Sequence, residues 1–158
     1  MYNKEGPSMA QFATDDNIKE YEPDIHNYGI QDFSDLHQKS YDDIIRLLNI
    51  RWWKTVEHNR YDISIVQGTE DRLSPSKLVA SEFERAAVFH VLGHYIYPRL
   101  STFDPEGDVF MEKMKYYKEQ FEIEFDLILR QGVSYDIDSS GTISDHERQT
   151  FHHNRLIR

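Results

Sequence analysis

The sequence predicts an all-α protein: a helical bundle of three long helices plus a short N-terminal helix, with extended N- and C-terminal arms. Two observations carry that prediction. Apolar side chains recur at helical spacing through three long stretches, with charged residues mostly on the opposite faces. The cap-plus-proline pairs Ser74-Pro75 and Asp104-Pro105 stand ahead of two of those stretches. Three amphipathic helices with short connections bury their apolar stripes against one another as a bundle.

Residues 1–13, with Gly6, Pro7 and Ser8 and little periodicity, read as a flexible or docking arm ahead of a bundle domain spanning 14–132. Thr14 followed by Asp15 and Asp16 suits an N-cap with an acidic first turn. The short helix it opens stops near Glu22, because Pro23 disfavours helical geometry in the residue before it. Asn27-Tyr28-Gly29 supplies a turn. The first long helix begins near Ser34, carries Leu36, Tyr41, Ile44, Ile45, Leu48 and Trp52 at helical spacing, and runs to about Glu57 with a break around Asn49. In the connector over 58–75, Ile63, Ile65 and Val66 suit a short extended piece. The second long helix covers 76–100 on a stripe of Leu78, Phe83, Ala86, Ala87, His90, Val91 and Tyr95, and Pro98 kinks or ends it. The third runs from Glu106 to Arg130, with Phe110, Met114, Tyr117, Phe121, Phe125, Ile128 and Leu129 inward and Gly132 as its C-cap.

Composition narrows the function. Hydrophobic residues make up 39% of the chain and charged residues 29%, so the core is modest. Aromatics reach 13%, which suits a core filled with rings and leaves rings for interfaces. A net charge of −10 argues against nucleic acid as the main partner. The end of the chain differs: His146–Arg158 holds three arginines and three histidines against one glutamate, a mildly basic tail on an acidic body. Without cysteine there is no disulfide framework and no thiol chemistry. No apolar run approaches the roughly 18 residues of a membrane helix, and Met1–Asp16 lacks the apolar stretch of a signal peptide. A soluble, unprocessed chain is expected.

One motif is sharp. Residues 136–147 read Asp-Ile-Asp-Ser-Ser-Gly-Thr-Ile-Ser-Asp-His-Glu, which matches the EF-hand calcium loop at its diagnostic positions. Asp136, Asp138 and Ser140 would offer side-chain oxygens, Thr142 its carbonyl, Ser144 a water-bridged contact and Glu147 a bidentate carboxylate, while Gly141 makes the sharp turn. A hard cation wants six or seven oxygens from a short flexible loop, hence this spacing. The flanks fit less well: Gly132 interrupts the incoming helix, the outgoing side becomes His152-His153-Asn154, and there is no second loop to pair with. Three readings stay open, namely an occupied calcium site, an Asp/Ser/Gly turn held by local hydrogen bonds, and a weak or vestigial site.

Other candidates are weaker. His90 and His94 lie one helical turn apart, but Val91 takes the place of a metalloprotease glutamate and two histidines leave zinc short of ligands, so a packed or interface pair is the better reading. Of Trp52-Trp53, one ring in the core and one at a subunit contact is expected. The carboxylates mostly fall on predicted polar faces, and no phosphate loop, nucleophile elbow or reactive cysteine is present, so no enzyme is expected.

The order of features is distinctive. Tyr21-Glu22-Pro23-Asp24-Ile25 leads to Tyr28-Gly29-Ile30-Gln31-Asp32-Phe33 and a helix ending Arg51-Trp52-Trp53. Ser81-Glu82-Phe83-Glu84-Arg85-Ala86-Ala87-Val88-Phe89 follows, with Leu92, Tyr95, Ile96 and Tyr97. Phe110, Lys115-Tyr116-Tyr117, Phe121 and Phe125 then lead to Gly132-Val133-Ser134-Tyr135-Asp136. This pattern, over residues 14–147, resembles the head–tail connector, or neck adaptor, proteins of tailed bacteriophages. The resemblance implies a structural virion protein in the neck between capsid and tail, made in the host cytoplasm. It implies a homo-oligomeric ring of about twelve copies, bound to the portal protein above and to a tail, nozzle or tail-terminator protein below. Genomic DNA passes through such a ring without sequence-specific binding, and an acidic lumen limits sticking of a polyanion. Residues 133–158 would then be the EF-hand-like loop and a docking tail, with Phe151, His152, His153, Arg155, Leu156, Ile157 and Arg158 reaching the portal. The alternative is a calcium-binding regulatory protein with a single EF-hand, and calcium is the one cofactor either reading admits.

Overall fold

The computed structural model describes residues 10–53 and 72–149. Among the described residues it is all-α apart from one two-stranded ladder, and only two of its helices are long, where three long helices and a short one were expected. Helix α1 (Asp15–Tyr21) starts where expected. The Thr14 hydroxyl accepts the Asn17 amide at 3.4 Å while Asn17 Oδ1 takes the Thr14 amide at 2.8 Å, a reciprocal cap. Glu22 ends it with a non-helical backbone ahead of Pro23.

Helix α2 (Ser34–Leu48) buries Leu36, Ile44 and Leu48, and at the expected break the backbone widens into a π turn, Asn49–Trp53. The extension to Glu57 and the extended piece at Ile63, Ile65 and Val66 lie outside the described residues. Both tryptophans are buried, contrary to the expectation of one at a subunit contact. Trp52 is 0% and Trp53 5% exposed, and both rings lie against Tyr135, with centroids at 5.7 and 5.1 Å.

The expected second helix over 76–100 is broken. Pro75–Lys77 and Ala80–Phe83 are single 3₁₀ turns, and regular helix α3 covers only Glu84–Val91. The interruption has a cause: Leu78 is drawn into an antiparallel β-bridge with Tyr135, so an apolar residue in helical register serves an extended backbone instead. A second π turn, Leu92–Ile96, joins α3 to α4 (Tyr97–Leu100). Pro98 stands in the first turn of α4, where a missing N–H costs little.

Helix α5 (Val109–Gln131) starts later than its expected Glu106. Asp104-Pro105 makes a turn instead, with the Gly107 amide donating to the Asp104 carbonyl at 2.8 Å and Gly107 at φ +85°. Asp108 is the true cap: its Oδ1 accepts the Met111 amide at 2.7 Å and its Oδ2 the Ser101 hydroxyl at 2.8 Å. Helix α5 packs mainly on α3, the second π turn and α4. The approach is closest at Gly93, where a Cβ would stand 2.7 Å from the Lys118 amide nitrogen and 3.0 Å from the Tyr117 carbonyl carbon, so glycine is required there. Helix α1 is tied on through Glu22, whose carboxylate accepts from Lys113 Nζ at 2.8 Å and the Tyr117 hydroxyl at 2.7 Å. Burial raises the Glu22 pKa, but Lys113 and Tyr117 outweigh it and leave it below the usual value.

The core is one aromatic-rich cluster running from Phe12 to Tyr135. Phe12 and Ala13, expected in the arm, belong to it; the Phe12 ring lies 4.6 Å from Tyr41 and 5.0 Å from Phe83. After the Gly132 cap, β1 (Val133–Ser134) pairs antiparallel with β2 (Arg148–Gln149), Val133 opposite Gln149 and Ser134 opposite Arg148.

Candidate functional site

The ladder frames the acidic loop. The Tyr135 amide donates to the Glu147 carbonyl at 3.0 Å and the Asp136 amide to the Lys77 carbonyl at 2.9 Å, so the two rims are tied to each other and the first of them to the body. Inside, each carboxylate gathers backbone amides. Asp136 Oδ1 accepts from Ser140 at 3.0 Å and its Oδ2 from Gly141 at 2.9 Å. Asp138 Oδ1 accepts from Ser140 at 3.0 Å. Glu147, only 5% exposed, accepts the Ile137 amide on Oε1 at 2.9 Å and the Ser144 amide on Oε2 at 2.8 Å. The Ser140 hydroxyl donates to the Thr142 carbonyl at 3.0 Å, and the Ser144 hydroxyl to Glu147 at 3.1 Å. Ser140, through its hydroxyl and then its amide, holds the Asp138 carboxyl below the usual carboxylate range.

Asp136, Asp138 and Glu147 each place a carboxylate oxygen within 4.8 Å of the others. Two ligands of one calcium ion lie no more than about 5 Å apart, so this all-oxygen set fits a hard cation. Ser140 and Thr142 lie on the same turn. With an ion bound, these groups would supply charge and oxygen ligands and the ion would cross-link the loop. The flanks depart from an EF-hand. Strand β1 precedes the loop, the loop's last three residues, Asp145–Glu147, form a 3₁₀ turn, and β2 follows it, so the loop joins two strands rather than two helices. Ile143 lies in no strand. The predicted docking residues Phe151, His152, His153, Arg155, Leu156, Ile157 and Arg158 lie outside the described residues.

Elsewhere, the fold assembles a set of residue types known from hydrolases. Ser40 Oγ lies 2.9 Å from His90 Nδ1, and Asp43 Oδ2 is 3.9 Å from His90 Nε2 while accepting the Tyr95 hydroxyl. The set is packed rather than reactive. Ser40 is 1% and His90 3% exposed, and Asp43 stands beyond hydrogen-bond distance from the imidazole. Burial, then the neighbouring His94, pushes the His90 pKa down to about 3, so the ring is neutral at physiological pH. His94, itself exposed, stacks on it at 4.2 Å.

Sequence reading missed one surface. Val109, Tyr116, Ile123 and Leu127 are all exposed on α5, and steps of seven, seven and four place them on one line. That stripe is about 27 Å long and faces away from the buried row of Met114, Tyr117, Phe121 and Phe125. Its signal in the sequence was the seven-residue spacing of Val109, Tyr116 and Ile123, hidden beside the stronger core pattern. Among the described residues no helix is long and apolar enough to cross a membrane. No family model, no curated protein and no solved structure matches the chain.

Proposed function

We propose that this chain is a structural subunit of a tailed-phage neck, an adaptor that joins the portal ring of the capsid to the tail and forms part of the DNA conduit. The observation that carries this reading is the antiparallel ladder, Val133 opposite Gln149, which brings the start of the C-terminal segment to the end of the longest helix. A basic-apolar tail issuing from one end of a rigid helical body suits docking on a partner, since it gains contacts once bound. Copies of the body pack side by side as a ring of about twelve, with the portal on one side and a tail, nozzle or tail-terminator protein on the other. The net charge of −10 suits a conduit that DNA traverses without sequence-specific binding. On this reading the protein sits in the virion neck, and in the host cytoplasm during assembly.

Imaging the purified protein mixed with isolated portal rings tests the proposal; rings of adaptor on the portal are expected. A protein that ignores the portal yet captures a peptide in calcium would sink it. A chain ending at Gln149 should lose portal docking with its helical circular dichroism intact, and a truncated chain that still docks would remove the tail from the mechanism.

A second reading, a single-loop calcium-binding regulator, is favoured by the 4.8 Å carboxylate cluster. It requires a large calcium-dependent change in stability and exposed apolar surface. The strand-flanked loop favours calcium as a pin on the tail's exit direction instead. Calorimetric titration of the parent, Asp136→Ala and Glu147→Ala with calcium decides whether the loop binds the ion.

A further inference from the structure

The stripe of Val109, Tyr116, Ile123 and Leu127 on α5 is 48–65% exposed. A single line of apolar groups on a helix of 23 residues suits another helix laid along it. The charges beside the stripe say which one.

A helix turns about 100° per residue, which puts Glu112, Lys115, Asp126 and Arg130 along one flank of the stripe. All four are exposed. Read toward the C-terminus their signs run minus, plus, minus, plus. Read backward they run plus, minus, plus, minus, so a copy of the helix laid antiparallel meets each sign with its opposite. The spacings agree as well. A two-fold axis between residues 120 and 121 sets Lys115 level with Asp126 of the other copy, and Glu112 within one residue's rise of its Arg130. The same axis lodges Tyr116 in the gap between Ile123 and Leu127 of the other copy. On the opposite flank Lys113 and Glu124 repeat the order, plus before minus.

A parallel copy lacks this match, because it brings Glu119 and Asp126 beside Glu124. Within the chain Asp126 and Arg130 already pair at 2.9 Å, both mostly exposed, so a second copy adds charges to that pair without burying it. Glu119, nearest the axis, meets its own counterpart and offsets part of the gain.

We propose that α5 is a self-association surface, through which two copies of this chain pair antiparallel about a two-fold axis beside Gln120. One helix pair buries less than the roughly 1,200 Å² of a standard interface, so the dimer is weak, with a dissociation constant on the order of tens to hundreds of micromolar. An isologous pair closes at two copies, so it is a form of the free protein and not the side-by-side contact of a ring. The proposal does not rest on the portal reading, and either can fail alone.

Sedimentation equilibrium of the full chain from about 10 µM to about 1 mM should show monomer and dimer in exchange. Ile123→Glu/Leu127→Glu should abolish the dimer with helical circular dichroism unchanged. Lys115→Glu, which sets like charge against Asp126, should weaken it by at least roughly threefold. The chain has no cysteine, so Gln131→Cys carries one spin label per copy and any dipolar distance is between copies. Antiparallel pairing sets that distance at roughly 30–35 Å, and parallel pairing at under roughly 20 Å. A chain that stays monomeric across the range overturns the proposal. So does a dimer that survives the stripe variant, one indifferent to Lys115→Glu, the short distance, or growth beyond two copies. Should the stripe variant lose its helical signal, Lys115→Glu and the label distance decide.

Discussion

At the centre of the body, Trp52, Phe83, Phe121 and Phe125 are at most 1% exposed, and ring lies against ring, with Phe121 and Phe125 stacked at 5.5 Å. In the 136–147 loop the interior is carboxylate, and the contacts are amides donating to Asp136, Asp138 and Glu147. The body is ordered mainly by removing apolar surface from water, which is non-directional. The loop is ordered by directional bonds to anions, which is local and responsive to cations and acid. A substitution should therefore spread through the one and stay put in the other.

The largest expected effect tests the first half of that contrast. Phe121→Ala removes a fully buried ring from a close-packed centre and should cost about 3–5 kcal/mol, with thermal unfolding advanced everywhere at once. Calorimetry together with amide exchange checks it; protection lost near Phe121 alone would show that the body is not one cooperative unit. Glu147→Ala tests the second half. It strands the amides of Ile137 and Ser144 and should cost about 1–3 kcal/mol, confined to the loop and ladder. Exchange should accelerate at Tyr135, Ile137 and Ser144 while helical protection holds, and collapse of the whole fold would refute the division.

Acid separates the two regions more finely. His90 has an ordinary value of 6.5 and a folded value of about 3, so below 6.5 the unfolded chain takes up a proton that the folded chain refuses. Its contribution is intact above pH 6.5 and falls by up to about 1.4 kcal/mol per pH unit between the two values. Asp138 has its pKa lowered from 3.8, so the stability it adds is present above that value and lost only on further acidification. Between pH 6 and 4.5 the body should soften while loop amides stay protected. Denaturant titrations across that range, with His90→Phe flattening the slope, provide the check.

Helix α1, α2 up to Asn49 and the inward row of α5 were legible because cap chemistry and helical periodicity are local. The acidic loop was legible as a turn for the same reason, since an Asx-rich turn carries its hydrogen-bond partners within a few residues. The misread elements depend on distant chain. Leu78 left helical register for Tyr135, a partner that periodicity near residue 78 does not announce. Asp104 and Asp108 both precede apolar helix residues, and the choice of Asp108 was made by Ser101 and Thr102, which close the turn onto its side chain. One of Trp52 and Trp53 was expected at a subunit contact, whereas Tyr135, distant in sequence, packs against both. The strands around the loop escaped notice because two residues are too few to show alternation.

The Glu22 carboxylate, which meets Lys113 and Tyr117 from 91 and 95 residues away, bears on how the chain folds during synthesis. Helix α1 can meet α2 through Asp15 and His37 as soon as both are made, but its Glu22 end is not tied to α5 until that helix has left the ribosome. Such non-local closure slows folding, because its loop entropy is spent before any contact repays it. Helices α2 and α3 and the second π turn must meanwhile hold exposed aromatic surface, a window in which assembly or aggregation competes with completion of the subunit.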